Sequence, residues 1–381
     1  MRDAPENGLI RPVMPELDSI RGLAILGVVV LHGFFWSFGG AFHFSPAAQV
    51  VLRLTQPGGL GVSLFFVLSG FLITGILLDS RDDPAYYRRF YIRRVLRILP
   101  VYYALLILLL VFGWIGTGYF WLCFIYLSNI TNLFGVALSY GPLWSLAVEE
   151  HYYIFWPFIV RRLTRQRLAW LAAGICGVEP VLRATAFQLG FNAGLQSYTW
   201  FIVDGLAAGS LLAILLRSGI TRKQSQWVCA ACFGAALLAA TATPLGILTV
   251  NRVLGAALKQ TLVNIFFSGV LLLFLLLGTS SWKGWVSAGW LKFLGYISYG
   301  LYLVHLVIFA LYDRWCGRFA PSLLPRSYRF DLVLLRFAVA GAVAIAVAYL
   351  SRRYFEQKFL ALKGPLEARY APRTAKGTTN P

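Results

Sequence analysis

The sequence predicts an all-α protein: a polytopic transmembrane helical bundle of about ten spans, with both termini cytoplasmic. Composition predicts the class. Of 381 residues, 59% are hydrophobic and 13% charged, with a mean hydropathy of +0.69, whereas a soluble globular chain is roughly 45–50% apolar and 25% charged. Spacing predicts the architecture, because apolar runs of about 17–25 residues, long enough to cross a hydrocarbon core, recur from end to end. Charge predicts the topology. A formal net charge of +19 would suit a nucleic-acid binder, but here the basic residues punctuate the ends of apolar runs. That is the pattern of the positive-inside bias and of contacts to anionic headgroups, so the expected partner is the bilayer and no nucleic acid.

The spans fall at residues 20–38, 60–78, 100–116, 142–160, 168–186, 200–216, 226–243, 262–278, 291–310 and 331–350. Residues 119–136 are long enough for an eleventh, but Asn129, Thr131 and Asn132 interrupt the apolar run. Charge favours ten. With the N-terminus inside, the inner segments carry 23 Lys and Arg and the outer ones 7, and an eleventh span would move the basic segment 161–167 outside. Residues 119–136 are therefore expected to dip into the membrane or lie at its outer face. The first run lacks a small-residue cleavage site and is expected to stay as a helix. The chain then divides into a cytoplasmic N-terminal segment (1–19), a transmembrane domain (20–355) and a cytoplasmic tail (356–381). The tail is expected to be disordered after Lys363.

Ionisable groups inside spans are costly and usually functional. Arg21 and His32 lie eleven residues apart in the first span, which returns them to nearly the same helix face. At a rise of about 1.5 Å per residue, His32 sits roughly 16 Å deeper than Arg21. An imidazole there can accept a hydroxyl proton, as acyl transfer to an alcohol requires; the plainer alternative is a packed histidine satisfied by a neighbouring helix. The run RRFYIRRVLRILP holds Arg88, Arg89, Arg93, Arg94 and Arg97. On a helix Arg93 and Arg94 each lie about one turn from Arg97, and guanidinium forks suit a polyphosphate, although headgroup contact would use the same residues. In GPLWSLAVEEHYYIFWP, Glu149, Glu150 and His151 enter an otherwise apolar and aromatic span. Adjacent helical residues point about 100° apart, so only one carboxylate can face the interior. It needs a buried partner, for which His32 is a candidate, unless the pair simply lies in interfacial water.

Asp204, His305 and Glu356 read as pathway residues or as structural hydrogen-bonding partners, and Arg183, Lys292 and Arg336 as side chains able to snorkel. Of the five cysteines, Cys229 and Cys232 form a C-x-x-C inside an apolar helical run. No two further ligands lie near, so they are expected to pack rather than hold a metal. The sequence contains no Walker loop, H-E-x-x-H or G-x-S-x-G.

Taken together, these stretches resemble the acyltransferase-3 family of bacterial membrane acyltransferases. PELDSIRGLAILGVVVLHGFF is similar to the family's opening motif, with Arg21 and His32 in its basic and histidine positions. GVSLFFVLSGFLIT resembles the second-span signature. RRFYIRRVLRILPVYY resembles the arginine block, with Arg94 and Arg97 as its R-x-x-R. In GPLWSLAVEEHYYIFWP, Glu149 takes the acidic position. ISYGLYLVHLVI and SRRYFEQKF resemble late motifs around His305 and Glu356. Tyr152 stands where phenylalanine is usual, and Gln357 where proline is common.

The resemblance implies an acyltransferase that moves an acyl group, often acetyl from acetyl-CoA, onto sugar hydroxyls of envelope or exported glycans. His32, Glu149 and Arg21 would then be catalytic, with Glu149 orienting His32, and Arg93, Arg94 and Arg97 would hold the phosphates of an acyl-CoA co-substrate. No permanently bound cofactor is expected. The acceptor would be a glycan, a lipid-linked sugar or another hydroxyl compound, and the location the bacterial cytoplasmic (inner) membrane. The rival from another class is a proton-coupled secondary transporter using Arg21, His32 and Glu149 as a relay. The absence of evident repeats and the arginine block argue against it. A scaffold without activity would leave the inward-facing ionisable groups unexplained.

Overall fold

A computed structural model describes residues 8–39, 42–192, 194–242 and 252–369. Ten long helices build it: α1 (Pro15–Gly33), α2 (Gly61–Asp79), α3 (Tyr86–Val111), α4 (Leu143–Arg162), α5 (Arg165–Gln188), α6 (Asp204–Leu216), α7 (Arg222–Ala242), α8 (Val253–Leu277), α9 (Gly289–Phe319) and α10 (Phe330–Leu350). Each overlaps one of the ten expected spans, and among the described residues there is no strand. Seven stretches, those containing α1, α2, α3, α5, α8, α9 and α10, are long and apolar enough to cross a membrane. Of the others, α4 carries Glu149, Glu150, Arg161 and Arg162, and α6 is 13 residues long. Large apolar side chains such as Ile107, Leu108, Phe155 and Leu238 point outward. Helices with satisfied backbones and apolar exteriors are what a hydrocarbon solvent permits.

Several boundaries depart from the sequence reading for local reasons. The first helix starts at Pro15, whose fixed φ suits a first helical position, with Glu16 and Asp18 favourably placed in the first turn. The helical arginine block is not separate from the span expected to start at residue 100. It continues through Pro100 into the apolar stretch as one 26-residue rod. Residues 119–136, in keeping with their polar interruptions, do not form one long helix. A short helix (Thr117–Phe124) ends near Tyr126, which has φ 58°, and a 3₁₀ stretch (Ser128–Phe134) follows. The polar residues that interrupt the run are used there: Ser128 donates to the Leu143 carbonyl (2.8 Å) and Asn129 to Thr199 Oγ1 (3.0 Å). The expected disorder after Lys363 gives way to a helix (Lys363–Arg369) tied to α3 by Arg93 Nε donating to Glu367 (2.7 Å). Residues 370–381 lie outside the described residues.

Two contacts set the arrangement. Helix α1 crosses α9 with backbones touching: a Cβ at Gly22 would sit 2.0 Å from the Leu291 carbonyl oxygen, and one at Gly295 would sit 1.9 Å from that of Asp18. Small residues at such crossings let dispersion hold helices together where lipid removes the hydrophobic drive. Helix α2 lies along α6, where Thr74 donates to Ser210 (2.8 Å) and receives from Trp156 Nε1 (2.8 Å).

Arg183 and Arg336 do not snorkel. Arg183 is buried and donates to the Ala257 carbonyl (3.0 Å), the Phe201 carbonyl, Asp204 (3.0 Å) and Thr261. Asn264 donates to the other Asp204 oxygen (2.9 Å), and the Asp204 backbone N–H donates to Glu179 (3.0 Å). Arg336 forms a two-bond pair with Asp313 (2.7 and 2.8 Å). A carboxylate on a neighbouring helix satisfies each guanidinium where it stands, so neither need reach for the interface.

Gly295→Leu is expected to destabilise the detergent-solubilised protein by about 1–3 kcal/mol or more through overpacking, while Gly284→Ala, with nothing near its added methyl, leaves the unfolding transition unchanged. Asp204→Ala, which breaks the buried Arg183–Asp204 pair and leaves Arg183 only the longer contact to Glu179 (3.4 Å), should cost up to about 3–5 kcal/mol, and the joint replacement Arg183→Met with Asp204→Leu and Glu179→Gln should cost markedly less. Chemical unfolding of the four variants checks both.

Candidate active site

A cavity of about 190 Å³ lies among α1, α2, α3, α4 and α9. Its polar wall is supplied by Arg21, Ser69, Arg94, Arg97, Glu149 and Tyr153. Glu149 accepts from Ser69 (3.0 Å) and from Tyr153 (3.0 Å), which stands one helical turn further along α4. Arg94 and Arg97 line the same cavity as this carboxylate. The Arg94 guanidinium lies 5.7 Å from the Phe90 ring centre and 5.6 Å from that of Tyr153, an arrangement in which the rings hold a cation by their π faces. Arg21 is tied to Asp18 at 2.6 Å. Among the described residues, neither Arg94 nor Arg97 is ion-paired with a carboxylate, so their donors remain available to an anion.

The wall also includes Ser145 and Tyr302, whose hydroxyls meet at 2.6 Å. Tyr302 leads to the histidines. Its ring centre is 6.1 Å from that of His305, and His305 Nε2 lies 3.1 Å from His32 Nδ1.

Of the residues singled out in the sequence, Arg21, Arg94, Arg97 and Glu149 come together at this cavity. His32 does not line it. The expected partnership of His32 with Glu149 is not formed, because Glu149 is satisfied by Ser69 and Tyr153 while His32 meets His305. Arg93 also stands apart, committed to Glu367 (2.7 and 3.3 Å); it precedes Arg94 by one residue and so faces about 100° away. Glu150 is not part of the wall, and the neighbouring His151 Nδ1 meets Thr199 Oγ1 at 2.7 Å. Glu356 accepts from Arg352 (2.9 Å) within a π-helical turn (Ser351–Glu356), and Asp204 belongs to the Arg183 network. Cys229 donates to the Gly269 carbonyl as a buried packing residue. Ser69, Tyr153, Ser145 and Tyr302 escaped the sequence reading. Only the i,i+4 spacing of Glu149 and Tyr153 was a usable signal.

The fold and the site define a multi-pass membrane protein with an interior cavity walled by three arginines and a glutamate. A profile of the acyltransferase-3 family, described as an acyltransferase domain, matches residues 14–353, and the chain belongs to that family. It is similar to a peptidoglycan O-acetyltransferase of Listeria monocytogenes (29% identity over 168 residues, 39% of this chain and 24% of that protein). It is also similar to a putative peptidoglycan O-acetyltransferase of Bacillus subtilis (30% over 205 residues, 46% and 29%). A putative O-acetyltransferase of Staphylococcus aureus matches at 29% over 231 residues, 53% and 34%. The matches span only about a quarter to a third of the length of these relatives. No solved structure matches it.

Proposed function

We propose that this protein is a membrane O-acyltransferase that moves an acyl group, acetyl first among them, from acyl-CoA to a hydroxyl of a glycan acceptor. The observation that carries the reading is the cavity itself: Arg21, Arg94 and Arg97 gather at a wall that continues, through Tyr302, to His32 and His305. Arg94 and Arg97 bind the donor's phosphates, where planar guanidinium forks pair with phosphate oxygens. Glu149, on the same wall, supplies the negative charge that favours keeping both guanidiniums turned to the cavity. His32 takes the proton of the acceptor hydroxyl as its oxygen attacks the thioester carbonyl. The Ser145 and Tyr302 hydroxyls are the donors best placed for the tetrahedral oxyanion. The carbon–sulfur bond then breaks, and the CoA thiolate leaves with the proton held by His32.

In this reading the protein sits in the bacterial cytoplasmic membrane with ten crossings and both termini inside. The packing directions support that count. Ser298 and Arg21 share the cavity while His305 meets His32, so α1 and α9 run parallel, as the first and ninth of ten crossings must. Helices α2 and α6 are likewise parallel, since Phe66 lies against Gly205 and Thr74 against Ser210.

Purified protein in proteoliposomes, given radiolabelled acetyl-CoA and peptidoglycan fragments, is expected to form acetyl esters. Solute or proton flux without ester formation would instead select a transporter. Glu149→Gln should lower turnover at least tenfold, with about 1.4 kcal/mol per decade as the scale, whereas Glu150→Gln stays within a few-fold of wild type; equal losses would remove Glu149 from the site. A cysteine at position 163, in a chain freed of its native cysteines, should react only with reagents applied from the cytoplasmic side. Labelling from outside would overturn the ten-crossing arrangement.

A further inference from the structure

We propose that His305 is a positioning residue that holds His32 in a single tautomer, with the proton on Nδ1 and Nε2 left as the basic nitrogen. The proposal rests on the reading above in which His32 takes the acceptor's proton, and it names a residue that the reading left without a role.

The direction of the proton chain is set by the backbone of α9. His305 Nδ1 lies 3.0 Å from the Leu301 carbonyl oxygen and 2.9 Å from that of Tyr302. Carbonyl oxygens only accept, so this nitrogen carries the hydrogen. The His305 ring is buried, with a second imidazole and the Tyr302 ring as neighbours. An imidazolium so placed would be a buried charge without a counter-ion. The ring is therefore neutral, and Nε2 bears a lone pair.

That lone pair faces His32 Nδ1 at 3.1 Å. Two unprotonated nitrogens would repel at that distance, so His32 Nδ1 donates. A neutral imidazole has one N–H, which leaves Nε2 of His32 as the proton acceptor. Reversing the chain would turn the His305 Nδ1 lone pair onto two carbonyl oxygens that the helix cannot move away. When His32 takes a proton on Nε2, its Nδ1–H remains bonded to His305. A neutral imidazole thus serves where a carboxylate serves in serine hydrolases.

The chain contains four histidines, so nitrogen NMR of the full-length protein with isotope-labelled histidine, in nanodiscs, can read each ring after assignment by single substitution. His32 is expected to show a protonated Nδ1 and a bare Nε2, and in His305→Leu to lose that preference. The His305→Leu variant should also turn over at least about tenfold more slowly at unchanged KM for acetyl-CoA. In His305→Gln the amide oxygen can stand in for Nε2, and most of the loss is recovered. His305→Asn keeps the contact to its own helix but is too short to reach His32, and it stays slow. A wild-type His32 protonated on Nε2 would overturn the proposal whatever the turnover, and so would equal rates for the Leu and Gln variants. Undiminished acetyl transfer by His32→Ala would overturn the catalytic use of His32 itself, a result the tautomer measurement keeps distinct.

Discussion

No side chain fits between α1 and α9 where they cross, and the rest of the site follows from that crossing. Glycine at 22 and at 295 brings the two backbones into contact, which fixes both the translation and the rotation of one helix on the other. Ten residues beyond each glycine, His32 and His305 face one another. Near the crossing, Arg21 and Ser298 share the cavity wall. One packing constraint therefore sets the arginine end and the histidine end together. In hydrocarbon the hydrophobic effect does not drive such a contact, so close dispersion packing has to hold it.

Buried charge in this bundle takes two forms, and saturation tells them apart. Arg183 is saturated by two carbonyls, Thr261 and the Asp204 carboxylate, with Glu179 alongside. Such a group has nothing left to offer a ligand, and its effect is to lock α5, α6 and α8. Arg336 is held in the same way by Asp313. Arg94 is instead held by aromatic faces, which leave its N–H groups unspent. Recognition sites need donors that are oriented but not consumed, and among these arginines that condition is met at the cavity.

The helix that positions His305 also determines where its proton lies. Backbone carbonyls of α9 are already aligned along the helix, so a side-chain nitrogen that reaches two of them inherits their polarity. From there the hydrogen-bond direction passes to a second helix through one nitrogen pair. Local secondary structure thereby sets the chemistry of a residue on another element.

The ten helices and their order were legible in the sequence because, in a membrane, each span must satisfy its own backbone hydrogen bonds. The length and apolarity of a run are then local properties that a linear reading captures. The same holds for spacings within one helix, such as Arg21 with His32 or Arg94 with Arg97. Pairings between helices were not legible. Glu149 was the expected partner of His32, yet His305, 273 residues away, takes that place because the glycine crossing puts it there. Arg93 read like its neighbours Arg94 and Arg97 until the C-terminal helix engaged it through Glu367. Arg183 read as free to snorkel because Asp204 lies on another element. The sequence by itself determined where the ten long apolar helices form and which residues share a face within each, since those depend on a segment's own composition and periodicity; the tertiary structure decided which polar groups meet, since that depends on how the helices rotate and approach one another.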